Sequence, residues 1–234
     1  MILDVAISEV QQMLGWRSDK VTEITSALRY AQDEREKPGR TFPWFLRTTA
    51  TITTVVGQAE YSIPANYIQD TEEKEGNLFL YSDGTVTSRT VFLKKGDFES
   101  LQTKYYGTWP YTAGLSESLS DLANASVVGP GVPIDYCLRD TTVLLYPKPD
   151  AVYSLLWRYW GKADTLTIGA ENAWLKYAPW VLIGQAARKI AADLEYSAGV
   201  DKASQVLATA EENLFRAIIN REEAGRRRGM GSKL

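Results

Sequence analysis

The feature that most constrains this chain of 234 residues is the order of its hydrophobic periodicities: helical at both ends and strand-like between. Ile2, Val5, Ala6, Val10, Met13 and Leu14 recur at helical spacing before Gly15, and Val21, Ile24, Leu28 and Ala31 repeat the pattern up to Lys37, where Pro38-Gly39 stops it. At the far end Trp174, Tyr177, Ala178, Val181, Leu182, Ala186, Ile190 and Leu194 mark the longest expected helix, with Gly199 as its break. Val206, Ala210, Leu214, Ala217 and Ile218 mark a last one ending near Glu223. Neither terminal pair can bury its single apolar face alone. The economical solution is an α+β fold in which both ends assemble a four-helix bundle and the middle is an inserted, mainly antiparallel β domain.

Within the middle, β-branched and aromatic residues predict a hairpin from 48–56 and 58–63 about Gly57, ended by Pro64. A second hairpin turns at Asp83-Gly84 between 78–81 and 85–93, and further strands fall at 134–138, 142–146 and 153–160. Periodicity weakens over 105–133, where only Leu115, Leu119 and Leu122 suggest a helical turn or two. Past Glu223 the apolar period is lost and Arg226, Arg227 and Arg228 follow, which predicts a basic flexible tail. The expected organisation is a helix pair over 1–41, a β domain over 42–168 with its long loop at 105–133, a second helix pair over 169–223 and the tail at 224–234. No internal repeat is visible.

Chemistry is conspicuous by what is missing. The chain has no histidine, which removes Ser-His-Asp and Cys-His arrangements, most zinc sites and the usual general base near neutral pH. It also lacks a phosphate-cradling GxxxxGK[ST] sequence. Asp70, Glu72, Glu73 and Glu75 read as a solvated acidic loop in preference to a glycosidase pair. Cys137, the one cysteine, can form no internal disulfide and reads as a buried, inert thiol. No catalytic residue, metal site or cofactor is expected. The N-terminus has no basic-then-apolar leader pattern, and no apolar run approaches the roughly 18 residues that span a bilayer, so no membrane role is expected. With a net charge of −3, contact with nucleic acid would have to be local.

What the composition favours is contact with other macromolecules. Seven Trp and thirteen Tyr stand beside six Phe, and both combine apolar area with a polar edge. In the strand over 153–160, Trp157 and Tyr159 share one face and Arg158 and Trp160 the other, so Trp160 is a candidate contact with a neighbouring protein or else packs internally. Trp109 and Tyr111, in Trp109-Pro110-Tyr111, suit a protein contact better than a sugar platform. Arg226, Arg227 and Arg228 can neutralise phosphates, pair with an acidic protein surface or keep the tail solvated.

Phe42-Pro43-Trp44-Phe45, then 51–56 and Gly57-Gln58-Ala59-Glu60-Tyr61-Ser62-Ile63-Pro64, resemble the opening of the β block in the head-to-tail adaptor (connector) family of short-tailed bacteriophages, where a GQxxYxxP-type turn and strand recurs. The segment 133–138, the Leu145-Tyr146-Pro147-Lys148-Pro149 turn and 156–160 are similar to that family's later strands, and the likeness runs over roughly 42–220. The resemblance implies a non-enzymatic virion protein, made in the host cytoplasm, that forms a ring, typically dodecameric, between the portal protein and the tail nozzle or tail fibre protein. Its lumen would pass double-stranded DNA without specific binding, and a C-terminal extension would grip the portal. Two other classes remain open: a carbohydrate-binding tail component, suggested by the Trp and Tyr content, and a small DNA-binding head protein, suggested by the arginines.

Overall fold

A computed structural model describes residues 1–71, 78–82, 91–106 and 129–230. In chain order its elements are α1 (Leu3–Met13), α2 (Val21–Arg35), β1 (Arg47–Thr53), β2 (Glu60–Ser62), β3 (Tyr67–Asp70), β4 (Leu78–Ser82), β5 (Val91–Phe92), β6 (Lys94–Lys95), α3 (Phe98–Tyr106), β7 (Asp135–Arg139), β8 (Thr142–Tyr146), β9 (Ser154–Gly161), α4 (Ala173–Tyr177), α5 (Pro179–Asp193) and α6 (Ser197–Met230). The protein is thus mixed α+β. It divides into two units, one of Met1–Arg47 with Gly161–Leu234, the other of Thr48–Trp160.

In the helical unit α1 buries Leu3, Ala6, Ile7, Val10 and Met13, and α2 buries Ile24, Ala27, Leu28 and Ala31, each a stripe at three- and four-residue spacing. Both stripes close on α5, which is buried nearly all round through Val181, Leu182, Ile183, Gly184, Ala186, Ala187, Ile190 and Ala191. A helix with so little exposed surface is the hub of its unit, with α1, α2, α4 and α6 packed around it. Gly184 lets α6 come close to the hub, because a Cβ there would lie 3.0 Å from the backbone of Leu207 in α6.

The C-terminal half departs from the sequence reading in three places. The helix expected from Trp174 to Leu194 is two helices, since Ala178 leaves helical geometry (φ −143°, ψ 49°) and Pro179, lacking an N–H, begins a new helix instead of continuing the old one. The break after α5 falls at Glu195 (φ +54°) and not at Gly199, which lies within the first turn of α6. That glycine is a packing residue: a Cβ on it would come within 2.3 Å of the Tyr196 ring. Third, the expected flexible tail is helical through Met230. Extending a formed helix adds one hydrogen bond per residue without a new nucleus. Glu, Ala and Arg are strong helix formers, and Gly225 and Gly229 cost only about 1 kcal/mol each against them. The arginines at 226–228 also sit where the helix dipole favours cations.

In the β unit one sheet has the order β1-β9-β4-β5, with β3 also on β9, and the other has the order β2-β8-β7-β6. Strands β2 and β8, β7 and β8, β4 and β5, and β4 and β9 are antiparallel, and β6 joins β7 in parallel. The hairpin expected about Gly57 does not form. Gly57 does supply the turn, at φ +78°, but β1 pairs with β9 and β2 with β8, so the turn carries the chain from one sheet to the other. The turn at Asp83-Gly84 and the turns at Leu115, Leu119 and Leu122 lie outside the described residues.

Strands β7 and β8 are apolar without alternation because both faces are covered. Tyr136, Val143 and Leu145 face a core shared with Ile52, Tyr61, Leu93, Tyr153, Leu155, Trp157 and Tyr159. Cys137, Leu144 and Tyr146 face a second cluster that α3 closes with Leu101 and Tyr105. Helix α3 is tied down by Asp135, which accepts from Tyr105 Oη at 2.6 Å and pairs with Lys104, and by Phe98 under the Arg139 guanidinium at 4.8 Å. Burial pushes the Cys137 thiol above its ordinary range, as expected of an inert cysteine. Asp70, expected in a solvated loop, instead accepts from Trp157 Nε1 at 3.0 Å and pairs with Lys95 at 2.5 Å.

Candidate docking surfaces

Helix α6 is longer than its own unit can cover. Its 34 residues run roughly 51 Å, more than twice the length of the 15-residue hub. Gly199, Ala203 and Leu207 are buried near its start; beyond Leu207 no α6 residue with a described side chain is buried. The far part is nonetheless held in place. Arg35 bridges Gln185 of α5, at 2.8 Å, and Glu211 of α6. Farther along, the Arg221 guanidinium lies 4.3 Å over the ring of Trp44.

Trp44 belongs to an aromatic cluster in which Phe45 stacks on Tyr177 (5.3 Å, 19°) and meets Trp174 edge-on at 5.1 Å. That cluster is pinned by a buried carboxylate. Glu36, at the end of α2, is 2% exposed and accepts at Oε1 from Trp174 Nε1 (2.8 Å), Ala163 N (3.1 Å) and Gln32 Nε2 (3.2 Å). None of these partners is cationic, and burial raises its carboxyl pKa above the ordinary value against the lowering effect of the three donors. Asn172 completes the network by capping α4, accepting from Trp174 N at 2.8 Å.

Two surface features stand on this scaffold. Phe215, 58% exposed, and Ile219, 38% exposed, are four residues apart and therefore form a ridge on one side of α6. On another flank a groove of about 410 Å³ is lined by Trp180 of α5 and by Gln205, Val206, Thr209, Ala210 and Asn213 of α6. Among the described residues no charged one lines it. Between ridge and groove, Arg216 and Glu212 pair with each other at 2.5 Å.

The β unit carries an aliphatic patch of its own. Val55 and Val56, Val132, and Val152 are all exposed on three segments that backbone hydrogen bonds hold together. Gly57 N donates to Pro149 O (2.8 Å), Gly131 N to Lys148 O (2.8 Å) and Thr54 N to Tyr153 O (2.9 Å). Tyr61 Oη accepts from Val55 N at 2.9 Å and donates to Gln58 O at 2.9 Å, so the patch is held by fixed backbone. Elsewhere the chemistry is sparse: among the described residues no group of three His, Cys, Asp or Glu side chains could hold a metal ion, and no helix is long and apolar enough to cross a membrane.

Exposed apolar ridges, an uncharged groove and a helix that outruns its unit describe a protein built for contact with other proteins. The sequence profile of the SU10 adaptor protein family matches residues 4–233. The chain belongs to that family. It is a family of phage head-to-tail adaptors, so the chain is a phage adaptor and a structural component of the virion. No curated protein matches the chain.

The contact residues expected from the adaptor's sequence fall in different places. Trp160 lies one residue before the end of β9, half-buried, on the face opposite Trp157 and Tyr159, which lie in the core as their alternation predicts. Arg226, Arg227 and Arg228 lie on the last turns of α6. Trp109 and Tyr111 lie outside the described residues. The ridge was missed by the sequence reading, although its signal is present: Phe215 and Ile219 fall off the face that Val206, Ala210, Leu214, Ala217 and Ile218 define, and apolar residues off the core face of an amphipathic helix need a partner. The groove and the valine patch had no such signal, because residues distant in sequence make them.

Proposed function

We propose that this adaptor forms a closed ring, probed first as a dodecamer, between the portal protein and the tail nozzle, with α1, α2, α5 and α6 as the helical bundle of the ring body and a lumen through which double-stranded DNA passes. The observation that carries the reading is the distal half of α6, which is anchored at Arg221 yet, among the described side chains, has none buried beyond Leu207. A long helix held rigid and left uncovered favours contact with another chain, because the ordering entropy is met before the partner arrives. Its end carries Arg226, Arg227 and Arg228, which suit forked hydrogen bonds to carboxylates on a portal. The valine patch and Trp160 suit the tail-side protein, whose surface would be apolar in the matching area. A net charge of −3 favours a lumen that does not hold the duplex by counterion release.

Co-sedimentation with the portal of the same phage tests this. Deleting 224–234 is expected to leave the thermal melt of the isolated protein nearly unchanged and to reduce recovery with portal at least tenfold. Changing the three arginines to alanine is expected to give a milder defect that grows with salt. Equal recovery of the full-length and truncated proteins would refute the role of the arm, and portal complexes without rings in negative-stain images would refute the ring.

A further inference from the structure

We propose that the ridge of Phe215 and Ile219 on one copy of this chain seats in the groove under Trp180 on the next copy, and that this is the lateral contact of the assembly. The inference rests on the ring reading and adds the residues that make the joint.

The two features cannot satisfy each other within one chain. At 100° per residue, the α6 residues lining the groove and the ridge residues are roughly 130° apart around the helix axis. A contact between unlike flanks is head-to-tail, and an angle well below 180° curves a row of copies toward closure instead of extending it straight. The chemistry matches as well. The groove is walled by Trp180, Val206 and Ala210 and rimmed by the neutral Gln205, Thr209 and Asn213. Beside the ridge, Arg216 and Glu212 neutralise each other and Glu211 is paired with Arg35, which leaves Glu223, one turn beyond Ile219, as the charge at its far end. A nucleic acid would find no cation in this groove.

Size argues for the same occupant. Taking roughly 200 Å² for a whole aromatic side chain, the exposed fractions of Phe215 and Ile219 together offer only roughly 200 Å² of apolar surface. That is well short of the roughly 800 Å² per partner of a stable interface. A joint this small leaves the chain a monomer in free solution and closes only where neighbours are concentrated on a common platform such as a portal rim.

The experiment uses the full-length chain, whose single native thiol, Cys137, is buried and left in place. Phe215→Cys, Ala210→Cys and the double variant are each assembled on portal, treated with a short bismaleimide and run on a denaturing gel. Phe215 is exposed and Ala210 is half-buried in the groove wall, and circular dichroism checks that folding is unchanged. The expected result is a ladder of multimers from the double variant and monomer from each single one. Rings in negative-stain images without a ladder would overturn the joint while leaving the ring reading intact. Dimers from a single variant would show a like-to-like contact and overturn it too. Absence of rings from the unaltered chain on its portal would overturn the ring reading, and the joint with it. As a second arm, Phe215→Asp and the groove-filling Ala210→Trp are each expected to lower ring recovery at least tenfold; normal recovery of both would overturn the proposal.

Discussion

Glu36 offers the most demanding test of how the helical unit is held. Replacing it with leucine keeps the volume roughly constant but removes the acceptor of Trp174 Nε1 and Ala163 N, while Gln32 Nε2 retains the carbonyls of Ala163 and Asp164. Two buried donors are left unsatisfied, each at about 1–3 kcal/mol, so Glu36→Leu should destabilise the unit by about 2–6 kcal/mol. Glu36→Gln keeps an oxygen for those donors and removes a buried charge that no cation offsets, so at pH 7 it should stay within about 1 kcal/mol of the native protein. The two variants also separate in pH. Because burial raises the folded-state pKa of Glu36, the native form binds its proton more tightly than the unfolded chain does. The stability from this group is therefore fully present below the unfolded value of 4.5 and is lost as pH rises through the folded value. Relative to Glu36→Gln, the native protein should gain stability as pH falls toward 4.5 and should hold a constant difference at higher pH. Urea unfolding followed by helical circular dichroism between pH 4.5 and 7.5 reads both effects. A Glu36→Leu variant within 1 kcal/mol of native, or a glutamine variant as damaged as the leucine one, would refute the reasoning.

Gly184→Leu should force α5 and α6 apart at Leu207 and cost about 1–3 kcal/mol, seen as a lowered urea midpoint of the helical signal. Trp44→Ala removes the ring beneath Arg221 and its contacts with Phe45 and Tyr177, and should lower amide-exchange protection in α6 around Arg221 while leaving α1 unchanged.

Sequence alone determined the fold class, both ends of α1, the start of α2, the strands β7, β8 and β9, the buried face of Trp157 and Tyr159, the buried thiol and the family. These are local or periodic properties: a stripe at 3.6 residues, an alternation at 2, a turn that only glycine or proline makes. Tertiary structure decided the rest. Whether Gly57 closes a hairpin or hands the chain to a second sheet depends on what β1 and β2 find as partners, and β8 and β9 lie far along the chain. Gly199 breaks helices by propensity, but here it admits the Tyr196 ring, a contact set by packing. The arginines past Glu223 have no apolar period, so no pattern calls for a helix; they are helical because α6 already exists to be extended. The groove under Trp180 exists only because α5 and α6 pack side by side, and Phe215 becomes a ridge only because nothing among the described residues covers it.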